Sequence, residues 1–299
     1  MSKVDISNLV TESRNPKTMN LDDMSIHEML VTMNEEDMLV PLRVKEVLPQ
    51  IEIAIKHIID ALKMGGKVFY VGSGTSGRLG ILDAVECPPT FSTTDEINGI
   101  IAGGPSAFIK AKEGAEDDEK AGMKEILDAK ISSKDVVVGI AASGRTPHTI
   151  GALKQASEIG AYTISIACNP NSEIGKVAKL AIDMNLGPEV ITGSTRLKAG
   201  TAQKLVLNML STLSMVGIGK TYQNLMVDVR PSNEKLVERS KRMIMEATGC
   251  DYQMASTTFD NCDRQVKVAI VKILLGCSEA EAKERLQKSE GFIKKAIDK

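Results

Sequence analysis

The sequence predicts an α/β fold in which helices flank a parallel sheet, followed by a small all-helical region. Between residues 67 and 186, five short apolar runs alternate with turns and helical stretches, which is typical of a parallel sheet covered on both faces. After residue 249, glycines separate three short helical stretches. We therefore expect an α/β domain with N-terminal helices over residues 1–249 and a small helical domain over residues 250–299.

The predicted strands are short and consist largely of β-branched and other apolar residues, as buried parallel strands do. They cover residues 67–71, 100–102, 135–142, 162–168 and 180–186. The helix after the first strand is expected to end near Glu86, just before Cys87 and two prolines. Further helices are expected from residue 105 to about 127 and after Pro147.

The N-terminal region is predicted to be helical after a polar start. Residues 1–20 should form an arm or loop, and Ser25 is suited to cap a following helix. A second amphipathic pattern covers residues 42–62, where Pro49 should kink or split the helix. Gly65 and Gly66 should end it.

Further helices are expected towards the C-terminus. A long one covers residues 196–218 and another covers residues 233–248. The run Val266–Leu275 also has helical character, and Ser278 precedes acidic residues in the pattern of a helix start.

Composition argues against several classes of function. The 299 residues carry a formal net charge of −2, so charge does not favour nucleic acid or an anionic membrane as a partner. No apolar run approaches the roughly 20 residues that span a bilayer, and the first residues lack the features of a signal peptide. The five scattered cysteines disfavour a disulfide framework or a zinc site and favour reduced thiols in the cytoplasm.

A turn rich in glycine and hydroxyl groups follows the first predicted strand. Small residues let the backbone approach an anion, the amides of a helix start bind it, and hydroxyls add donors. The predicted phosphate-binding residues here are Gly74, Thr75, Ser76, Gly77 and Arg78. The string also matches the dinucleotide pattern G-x-G-x-x-G, but Asp95 and Glu96 precede the second strand instead of ending it. A tight turn without a ligand remains an alternative for this segment alone.

A similar turn follows the third predicted strand and contains Ser143, Gly144, Arg145 and Thr146. Parallel sheets bind ligands at the carboxyl ends of their strands, so both turns should face one phosphate. A third patch, before the long helix, contains Ser194 and Lys198 and adds donors and positive charge, unless it is a plain helix cap.

Together these segments resemble the sugar isomerase (SIS) domain, an α/β fold that binds phosphosugars. Longer blocks extend the resemblance over nearly the whole chain, and they are similar to the N-acetylmuramic acid 6-phosphate etherase family. The blocks cover residues 74–80, 83–90, 101–104, 113–117, 141–147, 187–190, 192–204 and 224–229. They are much more specific than the glycine turn.

The resemblance implies a three-layer SIS sandwich in a cytoplasmic bacterial enzyme, a homodimer without a metal or organic cofactor. Its implied substrate is a sugar phosphate, and its implied reaction splits the D-lactyl ether of N-acetylmuramic acid 6-phosphate with water. An ether β to an aldehyde eliminates once a base removes the C2 proton and an acid protonates the leaving oxygen.

Glu86 and Glu116 match the two catalytic glutamates of the etherase family. At the end of its predicted helix, Glu86 would meet the negative end of the helix dipole, which suits a general acid. Near a predicted helix start, Glu116 would be favoured as a carboxylate, which suits a base, and Glu113 on the same helical face is an alternative. Arg78, Arg145 and Lys198 are candidate partners of the phosphate or the lactyl carboxylate, or else solvated surface cations.

Rival interpretations share the fold or the glycine pattern. A sugar-phosphate sensor similar to glucokinase regulatory protein needs a second SIS domain, for which 299 residues are too few. An aldose–ketose isomerase also uses a base at C2, but it does not account for the paired glutamate blocks. A dinucleotide oxidoreductase is disfavoured by the position of Asp95 and Glu96.

Overall fold

The computed structural model describes residues 8–231 and 233–298, which divide into two compact units. The first unit contains the described residues up to Val85 together with Glu96–Ser211, and the second contains Glu86–Asp95 with the described residues from Thr212 onward. This division differs from the boundary predicted at 249/250. The reason is that Met243 and Ile244 lie in the same apolar cluster as Phe259 and Ile270, further along the chain.

The first unit begins with short 3-10 turns and three helices. The turns include Val10–Glu12, while residues 1–7 of the predicted arm lie outside the described residues. The helices are α1 (Ile26–Asp37), α2 (Leu39–Glu46) and α3 (Leu48–Lys63). Ser25 caps α1 in a capping box with Glu28, as predicted. Pro49 lies in the first turn of α3, so the amphipathic pattern is split into α2 and α3 there, one of the two outcomes predicted for it.

Five parallel strands form one sheet in the order β2-β1-β3-β4-β5. They are β1 (Val68–Gly72), β2 (Ile97–Ile101), β3 (Val136–Ala141), β4 (Tyr162–Ala167) and β5 (Leu180–Asp183). Strands β1 and β3 are buried throughout, as expected for the centre of a sheet with both faces covered. The predicted parallel α/β fold is confirmed.

Helices cover both faces of the sheet. They are α4 (Gly74–Phe91), α5 (Ser106–Ile109), α6 (Glu119–Asp128), α7 (Pro147–Ile159), α8 (Glu173–Val177) and α9 (Lys198–Gly217). Phe69 and Val71 of β1 share a buried cluster with Leu153 of α7. Tyr70 points to the other face, where its Cβ lies 2.9 Å from the position of a Cβ built on Gly80 of α4.

Helix α4 is longer than predicted. It continues past Glu86 to Phe91 and includes Pro88 and Pro89. Proline lacks an amide proton but its φ is compatible with a helix, so these residues remove backbone hydrogen bonds without reversing the chain. The Thr90 hydroxyl donates to the Glu86 carbonyl at 2.9 Å. Glu86 therefore does not lie at the end of its helix, and that premise of its predicted acid role is wrong.

The segment around Glu116 also differs from the prediction. Glu116 lies in the 3-10 turn Ala115–Asp117, after Gly114, whose φ of 79° is left-handed. Asp118 caps α6 by accepting from the Ala121 amide, so the α-helix begins after Glu116. Glu116 thus lies near a helix start, as predicted, but before the first turn of α6. Glu113 does not share a helical face with it. The role of Glu116 as the base stays a prediction.

The second unit contains a cluster of helices around its own apolar core. They are α10 (Glu234–Thr248), α11 (Tyr252–Asn261), α12 (Val266–Leu275), α13 (Glu279–Lys288) and α14 (Ile293–Ile297). Ser278 caps α13 as predicted, through the amide of Glu281. Within the described ranges, no helix combines the length and the apolar character that crossing a bilayer requires.

Candidate functional site

The sheet order places a topological switch point between β1 and β3. From β1 the chain passes to β2 on one side, and it later returns to β3 on the other. Gly72 at the end of β1 pairs with Ile140 near the end of β3, so the turns that follow these strands leave the same edge side by side. Such crevices at the carboxyl ends of strands are where open α/β sheets bind ligands. The sheet thus brings together the first two predicted turns.

The first turn needs glycine because the strand and the following helix approach closely. A Cβ on Gly72 would lie 2.8 Å from the Ile140 carbonyl oxygen, and a Cβ on Gly77 would lie 2.5 Å from the Gly72 oxygen. Gly74 has a φ of +53°, which disfavours other residues. Helix α4 begins here, with the Gly77 amide donating to the Ser73 carbonyl at 3.1 Å. Backbone amides of α4 are therefore presented at the sheet edge.

The hydroxyl groups of this turn are partly buried against α9. Ser76 is buried, and its Oγ donates to Oε1 of Gln203 at 2.9 Å. Among the described residues, Ser73 Oγ and Gln203 Nε2 are buried without a hydrogen-bond partner. Burying polar groups without partners is costly in a purely structural turn, so the site holds more hydrogen-bonding capacity than the fold uses. Neither Ser73 nor Gln203 was among the predicted site residues.

The second turn has a similar design. Gly144 has a φ of 72° and lies so close to Ser172 that a Cβ would collide with its side chain. The Arg145 amide donates to Ser143 Oγ at 3.3 Å. Thr146 precedes Pro147 at the start of α7, and its side chain makes no capping hydrogen bond. The second turn thus presents hydroxyls and amides next to the first.

Lys198 of the third patch is buried in an ion pair. Its ammonium, 1% exposed, lies 2.6 Å from Glu36 Oε2. The carboxylate of Glu189 accepts from the amides of Lys198 and Ala199, both at 3.0 Å, and so caps α9. Lys198 is therefore not a surface cation, because it neutralises a buried carboxylate, and its role towards the substrate stays a prediction. Ser194 lies half-buried in the preceding turn.

Burial raises the pKa of a glutamate and hydrogen bonds to its carboxylate lower it, and the balance differs between Glu189 and Glu36. Burial raises the pKa of Glu189, although the amides of Ala199 and Lys198 oppose the effect. Burial also acts on Glu36, but hydrogen bonds from Lys198, Lys17 and Asn15 hold the pKa of Glu36 below its ordinary value. Glu36 and Glu189 therefore hold the first residues of α9, Lys198 and Ala199, in place.

The two predicted arginines are held differently. The Arg78 guanidinium donates to the carbonyls of Phe108 at 2.9 Å and Ala107 at 2.8 Å, which fixes α5 beside α4. Arg145 is half-buried and lines a cavity of about 240 Å³ together with Glu173. Arg145 therefore lies at the sheet edge near Glu173, and Arg78 is held by backbone carbonyls of α5.

The predicted acid and base lie in different compact units. Glu116, half-buried in its turn, belongs to the first unit, and Glu86, exposed on α4, belongs to the second. His148, which follows the second turn, is fully buried and its Nε2 lies 2.8 Å from Glu125 Oε2. Within the described part of the chain, no group of three or more His, Cys, Asp or Glu residues is arranged to hold a metal ion.

Sequence reasoning missed Asn169 and Gln203, and it missed the two glutamates that contact Lys198, Glu36 and Glu189. Gln203 and Glu189 lie inside blocks that carried the family resemblance, which was the available signal. Asn169 follows β4 directly, at the edge where the ligand was expected. Glu36 lies in a helix whose sequence gave no sign of a buried charge.

Comparisons with known proteins decide the family. The SIS domain family matches residues 116–213, and the glucokinase regulatory protein N-terminal SIS domain family matches residues 50–157. The protein named N-acetylmuramic acid 6-phosphate etherase from Oenococcus oeni is 59% identical over 98% of this chain and 99% of its own length. The protein of the same name from Bacillus cereus is 57% identical over 98% of this chain and its full length. The chain belongs to the N-acetylmuramic acid 6-phosphate etherase family.

Solved structures agree on the fold. A phosphoheptose isomerase from Neisseria gonorrhoeae aligns with a TM-score of 0.51 and 18% identity, over 64% of this chain and 98% of the isomerase. One from Francisella tularensis aligns with a TM-score of 0.50 and 16% identity, over 64% of this chain and the whole isomerase. The etherase family therefore shares its α/β architecture with these isomerases. The identity of 57–59% to these named etherases confirms the resemblance drawn from the sequence. The roles of individual residues stay predictions.

Proposed function

We propose that this chain cleaves the D-lactyl ether of N-acetylmuramic acid 6-phosphate with water, giving N-acetylglucosamine 6-phosphate and D-lactate. The observation that carries the proposal is 59% identity over nearly the full length of a relative named for this etherase activity. The sheet edge supports it physically, because two adjacent turns present hydroxyls and amides of the kind that bind a phosphate monoester.

The phosphate binds to the first and second turns in this proposal. The first turn contributes amides of α4 and the hydroxyls of Thr75 and Ser76, and the second contributes the hydroxyls of Ser143 and Thr146, with Gly144 letting the backbone approach the phosphate. These groups lack a full charge, so Arg145, which lies at the same edge, supplies the positive charge. Ser194 adds a further hydroxyl. This anchoring fixes the sugar before reaction.

The chemistry is an elimination followed by an addition. Ring opening exposes the C1 aldehyde, Glu116 removes the proton on C2, and Glu86 protonates the lactyl oxygen as its bond to C3 breaks. The electron pair of the C2–H bond forms the C2=C3 double bond of an unsaturated aldehyde, and D-lactate leaves. Water then adds at C3, with one proton returning to C2, so the sum is consumption of one water. The balance requires no redox centre, metal or organic cofactor.

The test is release of D-lactate from N-acetylmuramic acid 6-phosphate by the purified chain without added cofactor. We expect D-lactate and N-acetylglucosamine 6-phosphate in equal amounts, with activity retained after dialysis against a chelator. Tight binding of a hexose phosphate without release of lactate would instead favour a sugar-phosphate sensor. Conversion of an aldose phosphate to its ketose would favour an isomerase.

The active form in this proposal is a cytoplasmic homodimer. Helices α1 and α2 support it, because Ile26, Leu30, Met38 and Leu42 are apolar and 57–76% exposed. The five cysteines, all within the described ranges, form no disulfide, as suits a reducing compartment. Light scattering should give twice the chain mass of 32.2 kDa, and Leu30→Glu should shift the protein towards the monomer. A monomeric mass for the unmodified chain would contradict the dimer.

A further inference from the structure

Asn169 connects the second turn to a distant part of the chain. It follows β4 directly and is 2% exposed. Its Nδ2 donates to the carbonyl oxygens of Ala142 at 3.1 Å and Ser143 at 3.4 Å. These carbonyls belong to the second turn, so a single buried side chain holds the backbone at the base of Ser143 and Gly144.

The other bonds of Asn169 reach the N-terminal segment, residues 8–12, in which Val10–Glu12 form a 3-10 turn. Its Oδ1 accepts from the amides of Val10 at 2.7 Å and Thr11 at 3.4 Å, and its Nδ2 also donates to Thr11 Oγ1 at 3.0 Å. Thr11 is itself 1% exposed. A residue near the start of the chain is thus buried against the carboxyl edge of the sheet.

The same segment also contacts the third patch. The Gly193 amide donates to the Thr11 carbonyl at 3.1 Å, next to Ser194. At the start of this segment, Asn8 and Leu9 line a cavity of about 240 Å³. Ser143 and Arg145 line the same cavity. The N-terminal segment therefore forms a wall of a cavity that includes two predicted binding residues.

We propose that Asn169 is a positioning residue of the substrate site and that the N-terminal segment it holds is part of the wall of that site. The inference rests on the proposed function, since the second turn is taken to bind the phosphosugar. Asn169 acts through the turn: by fixing two carbonyls it gives the amides and hydroxyls around Gly144 one orientation. The segment acts through the cavity it lines with Arg145.

This arrangement should affect binding more than the chemical step. A turn with free backbone groups must be ordered when the phosphate binds, and that ordering weakens affinity. Neither Asn169 nor the segment supplies a proton donor or acceptor to C2 or C3 in the proposed mechanism. Removing the tether should therefore raise KM while leaving kcat nearly unchanged.

The first experiment is Asn169→Ala, assayed by D-lactate release across substrate concentrations. We expect KM to rise about tenfold, with kcat within about twofold of the unmodified chain. Asn233→Ala is the matched control, because Asn233 caps α10 of the second unit through the Leu236 amide. The control should leave KM unchanged. An unchanged KM in folded Asn169→Ala would overturn the positioning role.

Two further variants keep the proposal testable if Asn169→Ala does not fold. Thr11→Val keeps the side-chain volume but removes the hydroxyl that Asn169 contacts, and we expect a KM rise of about two- to threefold. Deleting residues 1–12 removes the whole segment and should raise KM about as much as Asn169→Ala. A wild-type KM in the chain that lacks residues 1–12 would show that the N-terminal segment is not part of the wall of the substrate site.

A double-mutant cycle tests whether Asn169 acts specifically through the second turn or whether its substitution makes the whole site less ordered. If Asn169 acts through the second turn, Asn169→Ala and Ser143→Ala should be less than additive in their effects on KM, whereas Asn169→Ala and Ser76→Ala should be additive. Additivity in both pairs would overturn the inference. Absence of lactate release from the unmodified chain would count against the proposed function instead, and the same variants would then be compared by calorimetric binding of N-acetylglucosamine 6-phosphate.

Discussion

The sheet edge of the first unit and the helical core of the second unit treat polar groups in opposite ways. At the sheet edge, Ser76, Gln203 and Asn169 are buried and bond to distant parts of the chain or lack a full set of partners. In the second unit the cluster around Phe259 is apolar, and the buried Ser240 donates to the Leu236 carbonyl of its own helix. The polar side chains at its helix starts serve as caps, at Asn233, Asp251 and Ser278.

We interpret this difference as a division between residues that stabilise the fold and residues that we propose to support substrate binding. A buried polar group stabilises a fold little beyond an apolar group of the same shape, and it costs much more when a partner is lost. Its concentration at one edge of the sheet is therefore hard to explain by stability alone. Substitutions in the helical core should change unfolding, whereas substitutions at the sheet edge should change substrate use.

The largest effect is expected from Glu116→Gln. The amide cannot accept the C2 proton, so kcat for lactate release should fall by about 10²–10⁴-fold. Glu116 is only half-buried and lies in a 3-10 turn, so the melting temperature should hardly change. Lactate assays and calorimetric scanning of the same preparation would measure both.

The neighbouring Glu113→Gln provides the matched control. Glu113 is exposed and three residues away, and its variant should retain near-normal kcat. If Glu113→Gln loses activity and Glu116→Gln keeps it, the base is assigned to the wrong residue. Glu86→Gln tests the acid in the same assay: near-normal lactate release would remove Glu86 from the mechanism.

Lys198→Met should cause the next largest change, in stability. It leaves the Glu36 carboxylate, 5% exposed, without its closest cation, and breaking one partner of a buried pair costs about 3–5 kcal/mol. Lys56→Met removes an ion pair whose two side chains are 67% exposed, and this control should leave the free energy of unfolding nearly unchanged. Chemical denaturation at pH 7 gives both free energies of unfolding.

The same pair predicts a pH dependence. The pKa of Glu36 is below its ordinary value of 4.5, so its ion pair stabilises the folded chain above about that pH. The contribution is lost as the pH falls through the lowered pKa, because Glu36 then binds a proton in both states. The difference between Lys198→Met and the unmodified chain should therefore shrink below about pH 4. A difference that stays constant down to pH 3 would contradict the assignment.

In the helical unit, Ile270→Ala should reduce stability without altering substrate use. Ile270 is fully buried in α12, and such truncations cost about 2–5 kcal/mol. Leu274→Ala on the same helix is the control, since Leu274 is 37% exposed and should cost less. Below the unfolding transition, KM for the phosphosugar should stay at its normal value. A raised KM in folded Ile270→Ala would break the comparison between the two regions.

Much of the fold followed from local sequence signals. The five strands were predictable because runs such as Val136–Ala141 are apolar on both faces, and only a covered parallel sheet buries both. The caps at Ser25 and Ser278 were predictable because a hydroxyl followed by acidic residues satisfies the first amides of a helix. These signals act within a few residues of the chain.

The errors came where the outcome depends on distant contacts. Helix α4 passes through Pro88 and Pro89, which local preferences place outside a helix. The burial of Lys198 was not predictable from its local motif, because its partner Glu36 lies 162 residues away. Asn169 showed no motif at all, because its partners come from the turn after β3 and from the start of the chain. Periodicity carries no information about such pairs.

The smallest effect we expect is in Ser278→Ala, which tests the helical unit at its surface. Ser278 Oγ accepts from the Glu281 amide at 3.2 Å, and losing such a cap costs about 1 kcal/mol. Ser289→Ala at the other end of α13 is the control, because Ser289 follows the helix and its own amide, not its hydroxyl, bonds to the Arg285 carbonyl. Denaturation curves should separate the two variants, and lactate assays should not. A change in KM from Ser278→Ala would show that polar groups of the helical unit also serve the substrate, and the contrast with the sheet edge would fail.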